Sequence, residues 1–208
     1  MLKFPSKSYE DCGKYGEDYF DQLAKASATV DRGALQCAAD LLTGAIAGGA
    51  TLYACGNGGS AAIANHLVCD CVKGVRTDTT VKPRVHSLSA NTEIITAIAN
   101  DIAYEDIFSF QLESYGRPGD VLIAISSSGG SPNIIKAIEK ARELGMKSIA
   151  MTGFTGGASA KAADVSLHVD AHNYGVVEDL HQSFMHLLAQ FLRQRHMPDE
   201  RLITEKKF

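Results

Sequence analysis

Five short apolar runs spread through residues 51–170 constrain the fold of this chain more than any other feature. They are TLYAC (51–55), RVHSLS (84–89), VLIAIS (121–126), KSIAMTG (147–153) and VSLHVD (165–170). Each has the length of a strand and is too short for a core helix. Stretches 60–73, 104–115, 131–144 and 175–196 carry helical spacing between and after them. Strands that alternate with helices pair in parallel, because each crossover must pass over a face of the sheet. The expected fold is a three-layer α/β/α sandwich around about five parallel strands. Ahead of it, residues 8–48 read as helical, with Gly48-Gly49 as a stop. The last helix ends before Pro198, and 198–208 reads as an exposed tail. No repeat or linker divides the chain, so we expect one domain: a helical segment (8–48), an α/β core (50–196) and the tail.

Composition narrows the function classes. At 208 residues, with 45% hydrophobic and 21% charged residues, the chain is an ordinary globular one. A formal charge of −4 leaves no basic footprint for nucleic acid, and Lys206-Lys207 reads as solvated tail. No apolar run approaches a membrane span. Acidic residues stand where a signal peptide would be apolar, and five cysteines without a framework fit a reducing compartment, so the expected location is cytoplasmic. Cys69 and Cys71 flank Asp70 and lack the spacing of a redox or zinc-knuckle pair, so they read as packing cysteines near a site.

Two strand ends carry unusual chemistry. TLYAC runs into Gly56-Asn57-Gly58-Gly59-Ser60, where glycines let backbone amides approach an anion at a helix start. VLIAI runs into Ser126-Ser127-Ser128-Gly129-Gly130-Ser131-Pro132, whose hydroxyls and helix-start amides can surround a phosphate without a cation. Turn and N-cap duty would explain either loop alone, but two such loops at strand ends favour phosphate. A dinucleotide fingerprint at 56–61 fails at Ala61, and Asp78 lies in a polar loop instead of at a strand end.

Two helices carry titratable stripes. His66 and Asp70 share a face at i, i+4, and Glu178, Gln182 and His186 repeat that spacing on the last helix, with His181 at its edge. Two histidines and two carboxylates are a zinc-compatible set. Solvated histidines and an acidic first turn explain the same residues, and spacing alone does not join the two helices.

The two loops, AND (99–101) with EDIF (105–108), GDVLIAISSSGGS (119–131) and EDLHQSFMH (178–186) resemble the SIS (sugar isomerase) domain over residues 10–195. With His66 and His186, the chain is most similar to the phosphoheptose isomerases within it. That resemblance implies a flavodoxin-like SIS fold and a metal-dependent aldose–ketose isomerase. Its substrate would be sedoheptulose 7-phosphate, converted through an enediol to a glycero-manno-heptose 7-phosphate. It implies about one zinc per subunit on His66, Asp70, Glu178 and His186, with Asp70 and His186 as the catalytic pair. Implied substrate contacts are Asn57, Gly58, Gly59, Ser60, Asp70, Asn100, Asp101, Ser126, Ser127, Ser128, Ser131 and Glu178. It also implies a homotetramer with sites at subunit interfaces, for which Phe20, Leu23 and Leu41-Leu42 offer a packing surface unless they cover their own sheet.

Three positions depart from the family pattern. Asp70 replaces a glutamate, Glu178 replaces a glutamine, and Gly175 stands where the family has a carboxylate. The competing reading is a non-catalytic SIS sugar-phosphate-binding regulator of the replication-initiator-associating type. Such a protein needs the phosphate loops but not His66 and His186.

Overall fold

The computed structural model describes residues 4–206. Two helices come first, α1 (Cys12–Ala28) and α2 (Arg32–Ala47). Asp11 and Asp31 cap them by accepting from the amides of Lys14 and of Gly33 and Ala34, which satisfies donors that no helical carbonyl can reach. The alternating part then runs β1 (Thr51–Gly56), α3 (Gly59–Cys69), β2 (Arg84–Ser87), α4 (Thr92–Asp101), α5 (Ser109–Tyr115), β3 (Val121–Ser126), α6 (Pro132–Glu143), β4 (Lys147–Thr152), α7 (Gly157–Ala162), β5 (Val165–His168) and α8 (Tyr174–His196). A short α9 (Arg201–Glu205) closes the described chain.

All pairings are parallel, in the order β2-β1-β3-β4-β5. β1 and β3 are buried on both faces, as central parallel strands are. Period-two alternation divides their side chains between two cores. Leu52, Ala54, Val121, Ile123 and Ile125 face a core with α1, α2, α3 and α8. Tyr53, Cys55, Leu122 and Ala124 face the other, with α4, α5 and α6. The result is the expected three-layer sandwich, with five strands.

Several elements differ from the sequence reading. The helix expected at 60–73 ends at Cys69 and continues as a π turn, Asp70–Val75, in which the Arg76 amide reaches the Cys71 carbonyl. The 104–115 stretch is a 3-10 turn at Tyr104–Asp106 followed by α5. α4 lies in a stretch the sequence reading left unassigned; Asn91 caps it by accepting from the Ile94 amide, and Ile98 is its buried residue. α7, of six residues, is too short for a periodic signal. The tail is part helical, with Lys206 3.7 Å from Asp78; Lys207 lies outside the described residues. In the N-terminal segment, Leu42 is buried in its own core and Leu23 and Leu41 lean on it, whereas Phe20 is 69% exposed. Cys71 is buried and its thiol is pushed up to about 12 by desolvation, whereas Cys69 is exposed.

Candidate active site

The strand order reverses between β1 and β3, since the chain adds β2 on one side of β1 and β3 on the other. Ligands of open parallel sheets collect in the crevice at such a reversal, beyond the carboxyl ends of the strands. Both loops singled out in the sequence open onto this crevice, because one follows β1 and the other follows β3.

The first loop is held at both ends. Ser89 donates to the Gly56 carbonyl (2.8 Å) and accepts from the Gly56 amide (3.1 Å). Gly58 has φ +55°, a conformation that L side chains rarely adopt, and it starts α3 without a side-chain cap. Asn57 makes a reciprocal amide pair with the buried Asn133 of α6 (3.0 and 2.9 Å) and accepts from the Tyr104 hydroxyl (3.0 Å). Sequence reading missed both partners. The traces it left were Asn133, just after the serine loop, and Tyr104, inside the AYEDIF segment.

The serine loop is wound by its own hydroxyls. Ser126 Oγ accepts from the Gly129 amide (3.2 Å) and lies 3.2 Å from Ser131 Oγ; Ser128 Oγ accepts from the Gly130 amide (3.2 Å). The Ser127 carbonyl accepts from Gly153, anchoring the loop to the end of β4 (2.8 Å). Gly129 has φ +65° and packs against the Gly156 carbonyl so closely that no Cβ would fit. Between the loops lies a cavity of about 150 Å³, lined by Asn57, Ser60, Ile125, Ser126, Ser127, Ser128, Ser131, Tyr174 and Glu178. None of these lining side chains is a lysine, arginine or histidine. Ser127 Oγ is buried there without a hydrogen-bond partner, an arrangement that awaits an acceptor.

A second cluster lies along the crevice. His66 Nε2 stands 3.3 Å from Asp70 Oδ1, and His186 Nδ1 stands 3.1 Å from Asp70 Oδ2. The rings meet edge to face, with centroids 5.1 Å apart. Gln182 Nε2 lies 2.8 Å from His186 Nε2 and 3.4 Å from His66 Nδ1. This geometry is satisfied when each ring donates one N–H to Asp70 and turns its other nitrogen to the Gln182 amide. The π turn sets Asp70 at the break in α3, between the two rings.

The ligand atoms of His66, Asp70 and His186 lie within 4.8 Å of one another. Two imidazoles and a carboxylate at that separation fit a divalent ion, and three protein donors leave a coordination position open, as catalytic zinc sites do. Three of the four residues expected as metal ligands stand together in this cluster. Glu178 is not in the cluster: its carboxylate packs on Gly59 at the start of α3, where an added Cβ would collide with it, and it lines the serine cavity. Gln182, one turn later, is the residue beside the rings. Asn100 and Asp101 hydrogen-bond each other (2.7 Å) on the exposed end of α4, and neither lines that cavity.

The SIS domain profile matches residues 14–153. The chain belongs to the SIS domain family. It is 40% identical over 162 residues to the phosphoheptose isomerase of Geotalea daltonii, covering 78% of this chain and 84% of that protein. It is also 40% identical over 151 residues to the Rhodospirillum rubrum phosphoheptose isomerase, covering 73% and 80%. Among solved structures, the phosphoheptose isomerase of Neisseria gonorrhoeae superposes with a TM-score of 0.81 at 30% identity, over 88% of this chain and 98% of that one. The SIS domain of this chain thus carries its glycine loop, its serine loop and two of its three clustered donors within the matched residues. His186, on α8, lies beyond them.

Proposed function

We propose that this SIS-domain protein interconverts sedoheptulose 7-phosphate and a glycero-manno-heptose 7-phosphate at the crevice between the serine loop and the His66–Asp70–His186 cluster. The chain is a sugar-phosphate isomerase, the class to which its named relatives belong. The observation that carries the finer reading is the convergence of His66, Asp70 and His186 from two distant helices beside a serine-lined cavity.

The phosphate enters that cavity, where Ser126, Ser127, Ser128 and Ser131 and the first amides of α6 donate to its oxygens. Glu178, Gln182 and His186 lie on one stripe of α8, and the eight helical steps from Glu178 to His186 span about 12 Å. The sugar chain follows that stripe, with its reacting carbons at the cluster. Asp70 takes the proton from one carbon and returns it to the next, passing through an enediol. His186 exchanges the proton between the two oxygens. His66, Asp70 and His186 would hold one zinc ion, which when bound polarises the carbonyl. Remote binding energy from the phosphate keeps the carbons within reach of Asp70.

A regulator that only senses sugar phosphates needs the serine cavity and gains nothing from the cluster, so the cluster favours the enzyme. Phe20 and Leu187, exposed at 69% and 48%, support an oligomer, and we propose a homotetramer with sites at its interfaces. Among the described residues no helix is long and apolar enough to cross a membrane. The five unpaired cysteines support a cytoplasmic location. The test is turnover of sedoheptulose 7-phosphate, with metal analysis, in wild type and His186→Ala. We expect the variant to lose both turnover and tight metal; a variant as active as wild type would sink the mechanism.

A further inference from the structure

The serine cavity has one wall that neither loop builds. Tyr174, the first residue of α8, lines it from the side opposite Gln182 and His186, because Tyr174, Glu178, Gln182 and His186 follow one another at four-residue steps on one stripe. Along α8, a ligand held by the serines can extend toward the His66–Asp70–His186 cluster or toward Tyr174. At about 150 Å³ the cavity has the volume of about five waters, enough for a phosphate and the carbon that bears it.

The ring of Tyr174 is braced. Phe154 packs on it with centroids 4.7 Å apart, and His172 packs on Phe154 at 5.3 Å. Phe154 itself has φ +51°, an unfavourable conformation for a bulky residue, and its amide donates to the Ala171 carbonyl (3.0 Å). A loop that keeps a strained aromatic under an aromatic that is itself 60% exposed spends stability on placing that ring.

We infer that Tyr174, braced by Phe154, is a specificity-determining wall that closes its own side of the serine cavity and restricts it to terminal phosphomonoesters. A phosphodiester carries a second substituent on phosphorus, which must leave on the Tyr174 side and meets the ring. The inference rests on the serine cavity being the phosphate site.

Calorimetry with glycerol 3-phosphate, a monoester, and glycerophosphoglycerol, the matching diester, tests it on wild type, Tyr174→Ala and Tyr174→Phe. The two ligands differ in charge, but that difference is the same in every variant, so a change in their affinity ratio reports the wall. We expect wild type and Tyr174→Phe to prefer the monoester by about tenfold or more, and Tyr174→Ala to shrink that ratio by about fivefold. Because Tyr174 is exposed, its truncation leaves both cores intact. An unchanged ratio in Tyr174→Ala, or a wild type that binds both ligands equally, overturns the inference while leaving the phosphate site standing. Binding of neither ligand to wild type refutes the phosphate reading, and the wall with it.

Discussion

His181 makes the stability of the protein fall on acidification. It lies on α8 between Glu178 and His186 and is fully buried. Desolvation pushes its pKa down from 6.5 to about 4; the Thr152 backbone opposes that shift, and His168 adds to it. The folded protein therefore holds His181 neutral where the unfolded chain takes up a proton. Because the unfolded state binds more protons between pH 6.5 and 4, stability is complete above pH 6.5 and falls as pH drops through that window. Holding the ring at about 4 instead of 6.5 amounts to roughly 3 kcal/mol. Replacing His181 with leucine removes this term. Urea unfolding of wild type and His181→Leu at pH 7.5 and pH 4.5 should show wild type losing about 2–3 kcal/mol more than the variant on acidification. At pH 7.5 the variant should be no less stable than about 1 kcal/mol below wild type, since leucine leaves no unpaired nitrogen. Parallel pH dependences for the two proteins would refute the argument.

Ser126→Ala removes a hydroxyl that holds the Gly129 amide and faces the cavity, so calorimetry should find sugar-phosphate affinity weakened by about 1.5–3 kcal/mol with metal content unchanged. Asp70→Glu lengthens the carboxylate by one carbon where Asp70 now meets both rings at 3.3 and 3.1 Å; turnover of sedoheptulose 7-phosphate should fall about tenfold or more, and a gain would show that the site prefers the longer base. Asp120→Ala strips the acceptor from the Thr51 amide (2.7 Å) and the Arg117 amide (2.9 Å) at the foot of β1 and β3, and thermal unfolding should show about 3–5 kcal/mol lost. Light scattering at micromolar concentration should give a mass well above 22.2 kDa; a monomer mass would reject the proposed oligomer.

Most of the fold was legible because its signals are local. Strand runs such as VLIAIS announce a doubly covered parallel strand by their own composition, and Gly58 and Ser126–Ser131 announce anion-ready turns by chemistry that acts within a few residues. Where local preference and tertiary packing disagreed, local reading failed, as at the π turn that ends α3. The site divides the same way. His66 with Asp70, and Gln182 with His186, are pairs that helical spacing alone puts on a face. Nothing within either helix says that the two faces meet; a family resemblance joined them at the sequence level, and the packing of α8 on α3 brings their side chains within 4.8 Å. Tertiary structure also turned Glu178 toward Gly59 and left Gln182 beside the rings, although both share one stripe. It likewise paired Asn57 with Asn133 and Tyr104, three residues from separate elements. Side chains on one helical stripe are equivalent in sequence; which of them meets a loop and which meets a partner histidine depends on what stands opposite, and that is decided by strand order and packing.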